Sequence, residues 1–277
     1  MSELKINKTI DILHKLNDCI KKKEPFGLVR FGDGGLKVMD AYIKDDMQQL
    51  IEISEQEGIP LQLYKKIIDF WKTSANNCDY IDCPEVYFTN YFWQRTRKLT
   101  RKPMSQKTIN RLKNWKNTYK EVEITNENYC NPEINFLMCL AKFRKLSLPS
   151  LLENKKICCI SSRNDINDKL PDYNIDVIKI VGKNENQYYN SFSKVINIID
   201  KKSNDYDLWL IAAGELGRIY PGLIKFKGGR ALDIGSLIDF WCEKEIPGRL
   251  LPYVQSTIHH PLKLILTTDG KRYNNYL

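Results

Sequence analysis

Arg30-Phe31-Gly32-Asp33-Gly34-Gly35 places a permanent cation, a carboxylate and three glycines side by side. Glycine reaches backbone angles closed to other residues and lets the chain come close to a ligand. Where such a turn opens a helix, its amides can face an anion such as a diphosphate. The Arg30 guanidinium suits phosphate oxygens, and Asp33 can hold a divalent ion between them. The spacing is not the dinucleotide fingerprint G-x-G-x-x-G. The plainer alternative is a strand-to-helix turn in which Asp33 only caps the helix.

The elements around this turn explain how it would be presented. Phe26 to Val29 reads as a buried strand, and the periodic Leu36, Met39 and Ile43 read as the helix that follows. Further short apolar strands are expected at Ile157–Ile160, Asp176–Val181, Leu208–Ala213 and Ala231–Ile234, alternating with amphipathic helices such as 8–22 and 187–200. All-apolar strands alternating with helices indicate a parallel sheet covered on both faces. The fold class is therefore α/β, Rossmann-like, with a mostly parallel sheet. Glu85–Phe92 also reads as a strand, Ser105–Trp115 and Asn131–Lys145 as helices, and Asn76–Pro84 as a polar connection. One domain over 1–245 and a poorly patterned extension over 246–277 account for the length.

Ligands of open α/β sheets bind beyond the carboxyl ends of the strands. Here those ends read Gly32-Asp33-Gly34, Ser161-Ser162-Arg163, Gly214-Glu215 and Asp233-Ile234-Gly235-Ser236. Hydroxyls, small residues and charges gather where the apolar strands stop, which points to a pocket for an anionic ligand. Arg30 and Arg163 can neutralise a diphosphate, and Ser161 and Ser162 can bond phosphate or ribose. Asp33, Glu215, Asp233 and Asp239 are the carboxylates available for a metal or for general-base work.

Composition bounds the alternatives. No apolar run approaches the length of a membrane span, and Met1-Ser2-Glu3-Leu4-Lys5 lacks the layout of a secretory signal. The eight cysteines lack the spacing of a zinc site, and several sit in apolar strands and helices as small hydrophobes. Together these readings suggest a cytoplasmic protein with reduced thiols. The net charge of +9 is concentrated in an acid-free stretch from Arg95 to Lys120, flanked by Tyr87, Trp93, Trp115 and Tyr119. That block can serve nucleic acid, an anionic membrane surface or a phosphorylated small molecule, or be a solvated lysine-rich face.

The turn Arg30–Gly35 together with Gly229-Arg230-Ala231-Leu232-Asp233-Ile234-Gly235-Ser236-Leu237-Ile238-Asp239-Phe240-Trp241 resembles the GT-D glycosyltransferases, formerly a domain of unknown function. The likeness runs over about residues 8–245, with Phe70-Trp71-Lys72, Val86-Tyr87-Phe88-Thr89 and Lys155-Lys156-Ile157 in the same order. It implies transfer of a sugar, glucose as first choice, from a nucleotide-diphosphate donor such as a UDP-sugar to a glycan or glycoprotein acceptor. It also implies a donor site at Arg30, Gly32, Gly34, Gly35, Ser161, Ser162, Arg163, Gly214, Asp233, Gly235 and Ser236. Catalytic roles fall to Asp33, Glu215 and Asp239, with Mn²⁺ or Mg²⁺ on Asp33. Two positions depart from the family pattern: Gly35 stands where a glutamate completes Asp-x-Glu, and Ser236 where a histidine is usual. The first departure removes an oxygen ligand from a hard cation, and the two together leave room for a donor-binding protein without catalysis. A homodimer is the default expectation for assembly.

Overall fold

Strands whose side chains are buried in both directions must be covered on two sides, and this requirement sets the architecture. The structure is a computed structural model that describes residues 6–7, 9–84, 105–130, 152–182, 187–235 and 237–242, with the side chains of Thr9, Ile10, Asp33, Phe240 and Trp241 outside that description. The described strands are β1 (Ile6–Asn7), β2 (Phe26–Val29), β3 (Tyr80–Asp82), β4 (Tyr129–Cys130), β5 (Ile157–Ser161), β6 (Ile175–Lys179), β7 (Leu208–Ala212) and β8 (Arg230–Asp233). They form one eight-stranded sheet in the order β1-β4-β3-β2-β8-β7-β5-β6. Every described pairing is parallel. The expected Rossmann-like α/β class is what the chain adopts.

Alternate residues of each strand feed two separate cores. In β5 and β7, Cys158, Ile160, Trp209 and Ile211 face one core, and Ile157, Cys159, Leu208 and Leu210 face the other. The first is closed by the helices Gly32–Ile43, Tyr64–Asn77 and Tyr220–Phe226, through Leu36, Met39, Ile67, Trp71 and Ile224. The second is closed by the helices Thr9–Lys22 and Leu237–Cys242, through Ile12, Leu16, Leu237 and Cys242. Seven cysteines among the described residues are buried, and burial pushes the thiols of Cys158 and Cys159 upward. Cys19, Cys158, Cys159 and Cys242 lie in the core, as expected.

β2 and β8 lie side by side at the centre of the sheet. The neighbouring strands β7 and β5 send their connections in opposite directions, to β8 and to β6, so the switch point of the described sheet lies between them, next to β8. The carboxyl ends of β2 and β8 form a common rim: Leu28 sits opposite Leu232 and Val29 opposite Ile81. Arg30 and Asp82 therefore arrive at the same level, with Asp233 one residue below, beside Val29.

Two expectations are corrected here. Asn76–Pro84 is not only a connection, because β3 lies inside it, buried between β2 and β4. Asp82 ends that strand and is fully buried. The glycine turn, in addition, is the first turn of the helix itself, which begins at Gly32 with φ 58°. Two short edge or near-edge strands, β1 and β4, are added to those expected; two residues each are too few for a period-2 pattern to register. Glu85–Phe92, Asn131–Lys145 and the extension 246–277 lie outside the described residues.

The helices Tyr64–Asn77 and Tyr220–Phe226 approach closely at Gly222, whose amide donates to Ser74 Oγ at 3.1 Å. A Cβ at Gly222 would lie 2.7 Å from that Oγ and closer still to the Ser74 Cα. Gly222→Ala is expected to destabilise the fold by ~1–3 kcal/mol through overpacking, read as a lowered denaturation midpoint at unchanged slope.

Candidate functional site

The rim between β2 and β8 is organised by two buried carboxylates that hold backbone. Asp82 accepts the Phe31 amide on Oδ1 at 2.8 Å and the Gly32 amide on Oδ2 at 2.8 Å. It thereby fixes the angle at which β2 becomes a helix. Asp233 accepts the Arg30 amide on Oδ2 at 3.1 Å and the Gly235 amide on Oδ1 at 3.0 Å, tying the ends of β2 and β8 together. Burial pushes both carboxyls upward. The amides they accept and the guanidinium groups of Arg30 and Arg218 pull the other way.

Three neighbouring strand ends leave the sheet through a glycine in the left-handed region: Gly32 after β2, Gly214 after β7 and Gly235 after β8, with φ 58°, 56° and 48°. Each turn keeps the chain close to the rim at low steric cost. At Gly235 the space in front of the backbone belongs to Arg30, whose Nη1 would lie 3.5 Å from an added Cβ.

Glu215 and Arg218 complete the cluster from the short helix Gly214–Gly217 and the residue after it. Glu215 is buried and accepts a hydrogen bond from Arg218 Nη1. Arg218 Nη2 donates to the Phe31 carbonyl at 3.0 Å, and its guanidinium lies over the Trp71 ring, 5.0 Å from the centroid. Trp71 Nε1 donates in turn to the Glu215 carbonyl at 3.0 Å. Tyr64 lies within the field of the same pair, and burial, reinforced by Glu215, raises its phenol.

The expected residues divide into groups. Arg30, Gly32, Gly34, Gly35, Gly214, Glu215, Asp233 and Gly235 come together on the β2–β8–β7 rim, with the backbone of Asp33 in the same helical turn. Ser161 and Arg163, at the end of β5, belong to a neighbouring group. Ser161 is buried and its Oγ accepts the Arg163 amide at 3.2 Å, whereas Ser162 is exposed. Arg163 pairs with Asp165 at 2.8 Å and with Asp239 at 3.5 Å. Ser236 lies outside the described residues, as does the side chain of Asp33.

Asp82 and Arg218 were not among the candidates read from sequence. Asp82 carried a usable signal, since Ile81-Asp82 repeats the apolar-then-acid ending of Leu232-Asp233. Arg218 carried none, because its place depends on how one loop meets another. The basic stretch also needs correcting where it is described. Arg111 is buried against Asp40 at 3.5 Å and Gln49 at 3.3 Å, and Trp115 and Tyr119 are core residues. These side chains serve packing and do not line an open anionic face. Trp93, Arg95 and Arg97 lie outside the described residues.

The carboxylates described around the turn, Asp82, Asp233 and Glu215, fit a divalent ion poorly, while the side chain of Asp33, the expected ligand, lies outside the described residues. Both Asp82 and Asp233 present their oxygens to amides, Glu215 engages Arg218, and position 35 offers no carboxylate. Among the described residues there is no group of three or more His, Cys, Asp or Glu side chains suited to an ion.

A sheet whose described pairings are all parallel, with polar strand ends along its rim, defines a Rossmann-like α/β protein. The chain belongs to the GT-D-like family, the GT-D fold-like domain, whose model matches residues 7–241. Two solved structures share the fold. One is the selenomethionine-substituted structure of domain of unknown function 1792, and the other is of the same domain, described as having a distinct glycosyltransferase fold. Each has a TM-score of 0.53 and 19% identity, over 87% of this chain and 81% of the other. No curated protein matches the sequence. No helix among the described residues is long and apolar enough to cross a membrane.

The Asp82 latch makes a pH-dependent prediction. Asp82→Asn removes one acceptor from a buried pair of amides and is expected to cost ~1–3 kcal/mol. Because burial raises the folded-state pKa of Asp82, its stabilising contribution is full below the ordinary aspartate value of about 4 and is lost as pH rises through the folded value. Urea melts across pH should therefore show the wild-type advantage over Asp82→Asn shrinking as pH rises; an advantage that grows would contradict this assignment.

Proposed function

We propose that this protein is a glycosyltransferase that takes a sugar from a nucleotide-diphosphate donor, with a UDP-sugar and glucose as first choices, and passes it to a hydroxyl of a glycan or glycoprotein. The observation that carries this reading is the rim at the carboxyl ends of β2 and β8. A helix opening, Arg30 and three glycine turns converge there on one rim. Membership of the GT-D-like family and the glycosyltransferase fold of the structural neighbours support it.

In this mechanism the diphosphate lies across the opening of the Gly32–Ile43 helix. The amides of Phe31 and Gly32 are committed to Asp82, and that of Gly35 to the Phe31 carbonyl at 2.8 Å. The first-turn amides proposed to face the phosphates are those of Asp33 and Gly34, aided by the partial positive charge of the helix end. Arg30 balances the charge of the leaving nucleoside diphosphate. Asp239 is the proposed base for the acceptor hydroxyl. It sits in the first turn of the helix after β8, is one-third exposed and is oriented by Arg163. Glu215 is the less suitable base, being buried and paired with Arg218, and is assigned the role of positioning that arginine.

A donor that binds the folded state raises its melting temperature by mass action. UDP-glucose, or another nucleotide sugar from a panel, is expected to do so, and Arg30→Ala to weaken its binding by about tenfold or more, the loss of a charge-assisted contact worth ~1.5–3 kcal/mol. Asp239→Asn is expected to leave donor binding intact and to lower transfer by roughly 10²-fold or more, the usual range for a general base. Binding without transfer or donor hydrolysis in the unaltered protein would instead favour a donor-binding role without catalysis.

A further inference from the structure

The paired glycines Gly34 and Gly35 make room for an arginine. A Cβ at Gly34 would stand 3.3 Å from Arg218 Nη2, and one at Gly35 would stand 3.1 Å from Arg218 Nε and 2.9 Å from the Phe31 Cβ. The guanidinium thus lies directly against the backbone of the first helical turn. Three partners hold it there: the Glu215 carboxylate, the Phe31 carbonyl and the face of Trp71. Its side chain is only 11% exposed, and its buried Nε has no hydrogen-bond partner among the described residues. Glu215 holds this cation in place and offsets part of its charge; with so little water around it, the remainder still acts on an anion brought to the same turn.

We propose that Arg218 is a diphosphate-binding residue of this protein: a built-in cation beneath the Gly32–Gly35 turn that takes the place of a divalent ion, so that nucleoside diphosphates bind without metal. The inference rests on the donor-binding reading above and deepens it. Several oxygens must converge on a divalent ion, whereas the described carboxylates of the rim, Asp82, Asp233 and Glu215, are engaged by amides or by Arg218 itself. A second cation introduced beside the guanidinium would be repelled by it. Arginine suits the role because it remains charged at every working pH and its planar fork matches phosphate oxygens. Glycine at position 35 is then a requirement of the site, since a longer side chain would displace the guanidinium.

Calorimetric titration of the full chain with UDP, GDP and dTDP, in EDTA and again in Mn²⁺, tests this directly. The expected result is binding of at least one of them with the same affinity in both buffers. Arg218→Gln is expected to weaken that binding in EDTA by about tenfold, equivalent to ~1.4 kcal/mol, with Mn²⁺ recovering part of the loss. Arg218→Lys, which keeps the charge, should retain more affinity than Arg218→Gln. A residue that merely braces the fold would not create metal dependence when neutralised. If Arg218→Gln fails to fold by circular dichroism, the two buffers compared on the unaltered protein still decide the matter. Binding that vanishes in EDTA and returns with Mn²⁺ overturns the arginine assignment and leaves the donor-binding reading standing. Absence of binding by all three nucleotides in both buffers overturns the donor-binding reading, and the inference with it.

Discussion

The carboxylate of Asp82 is the constraint on which the rim depends. Two adjacent amides, of Phe31 and Gly32, point toward the end of β3, where one buried side chain accepts both. A helix start leaves its first amides without intrahelical partners, and here the partner comes from a neighbouring strand in place of a local cap. The local alternative is closed, because the residue before the helix is Phe31, which makes no side-chain cap bond. The direction of the glycine turn is therefore set across the sheet, by β3, and the same bond locks β2 to β3 at the level of the rim.

Asp233 repeats the device on the other side of β2. It receives the Arg30 and Gly235 amides, so the two central strands end at the same height. Burying two carboxylates is unfavourable, and loss of water pushes both upward. Arg30 and Arg218 offset the cost by lying near enough to favour the ionised forms. The arginines are consequently part of the scaffold as well as part of the proposed ligand chemistry. A rim assembled from charges that need one another has little freedom to rearrange, which suits the binding of a rigid, highly charged group such as a diphosphate.

Much of this was legible in the sequence. Strands β2, β5, β6, β7 and β8 announce themselves as short apolar runs, and the residues that follow them form the polar rim at the strand ends. Arg163 and Asp239 were legible as charges near strand ends, although their pairing with one another was not. Asp82 was hidden because a three-residue strand carries too little periodicity to stand out from a polar segment. The described part of the basic stretch is mixed: Lys107, Lys113, Lys116 and Lys120 are exposed, as a solvated lysine-rich face requires, whereas Arg111 is drawn inward by Asp40 and Gln49 from two other helices. Composition reports how many charges a segment carries and not which of them find a buried partner.

The chain's order of residues alone determined the class of fold, the strand ends that make up the polar rim, and the burial of Cys19, Cys158, Cys159 and Cys242. These follow from local hydrophobic pattern and from the backbone freedom of glycine, both of which act over a few residues. Tertiary structure decided which strand ends meet, that Asp82 and not a local cap governs the glycine turn, and that Arg218 occupies the space opened by Gly34 and Gly35. Those outcomes depend on parallel register and on contacts between residues 50 to more than 200 positions apart. No local signal encodes them, because the energy of a buried charge is set by the neighbours that surround it once the chain has folded.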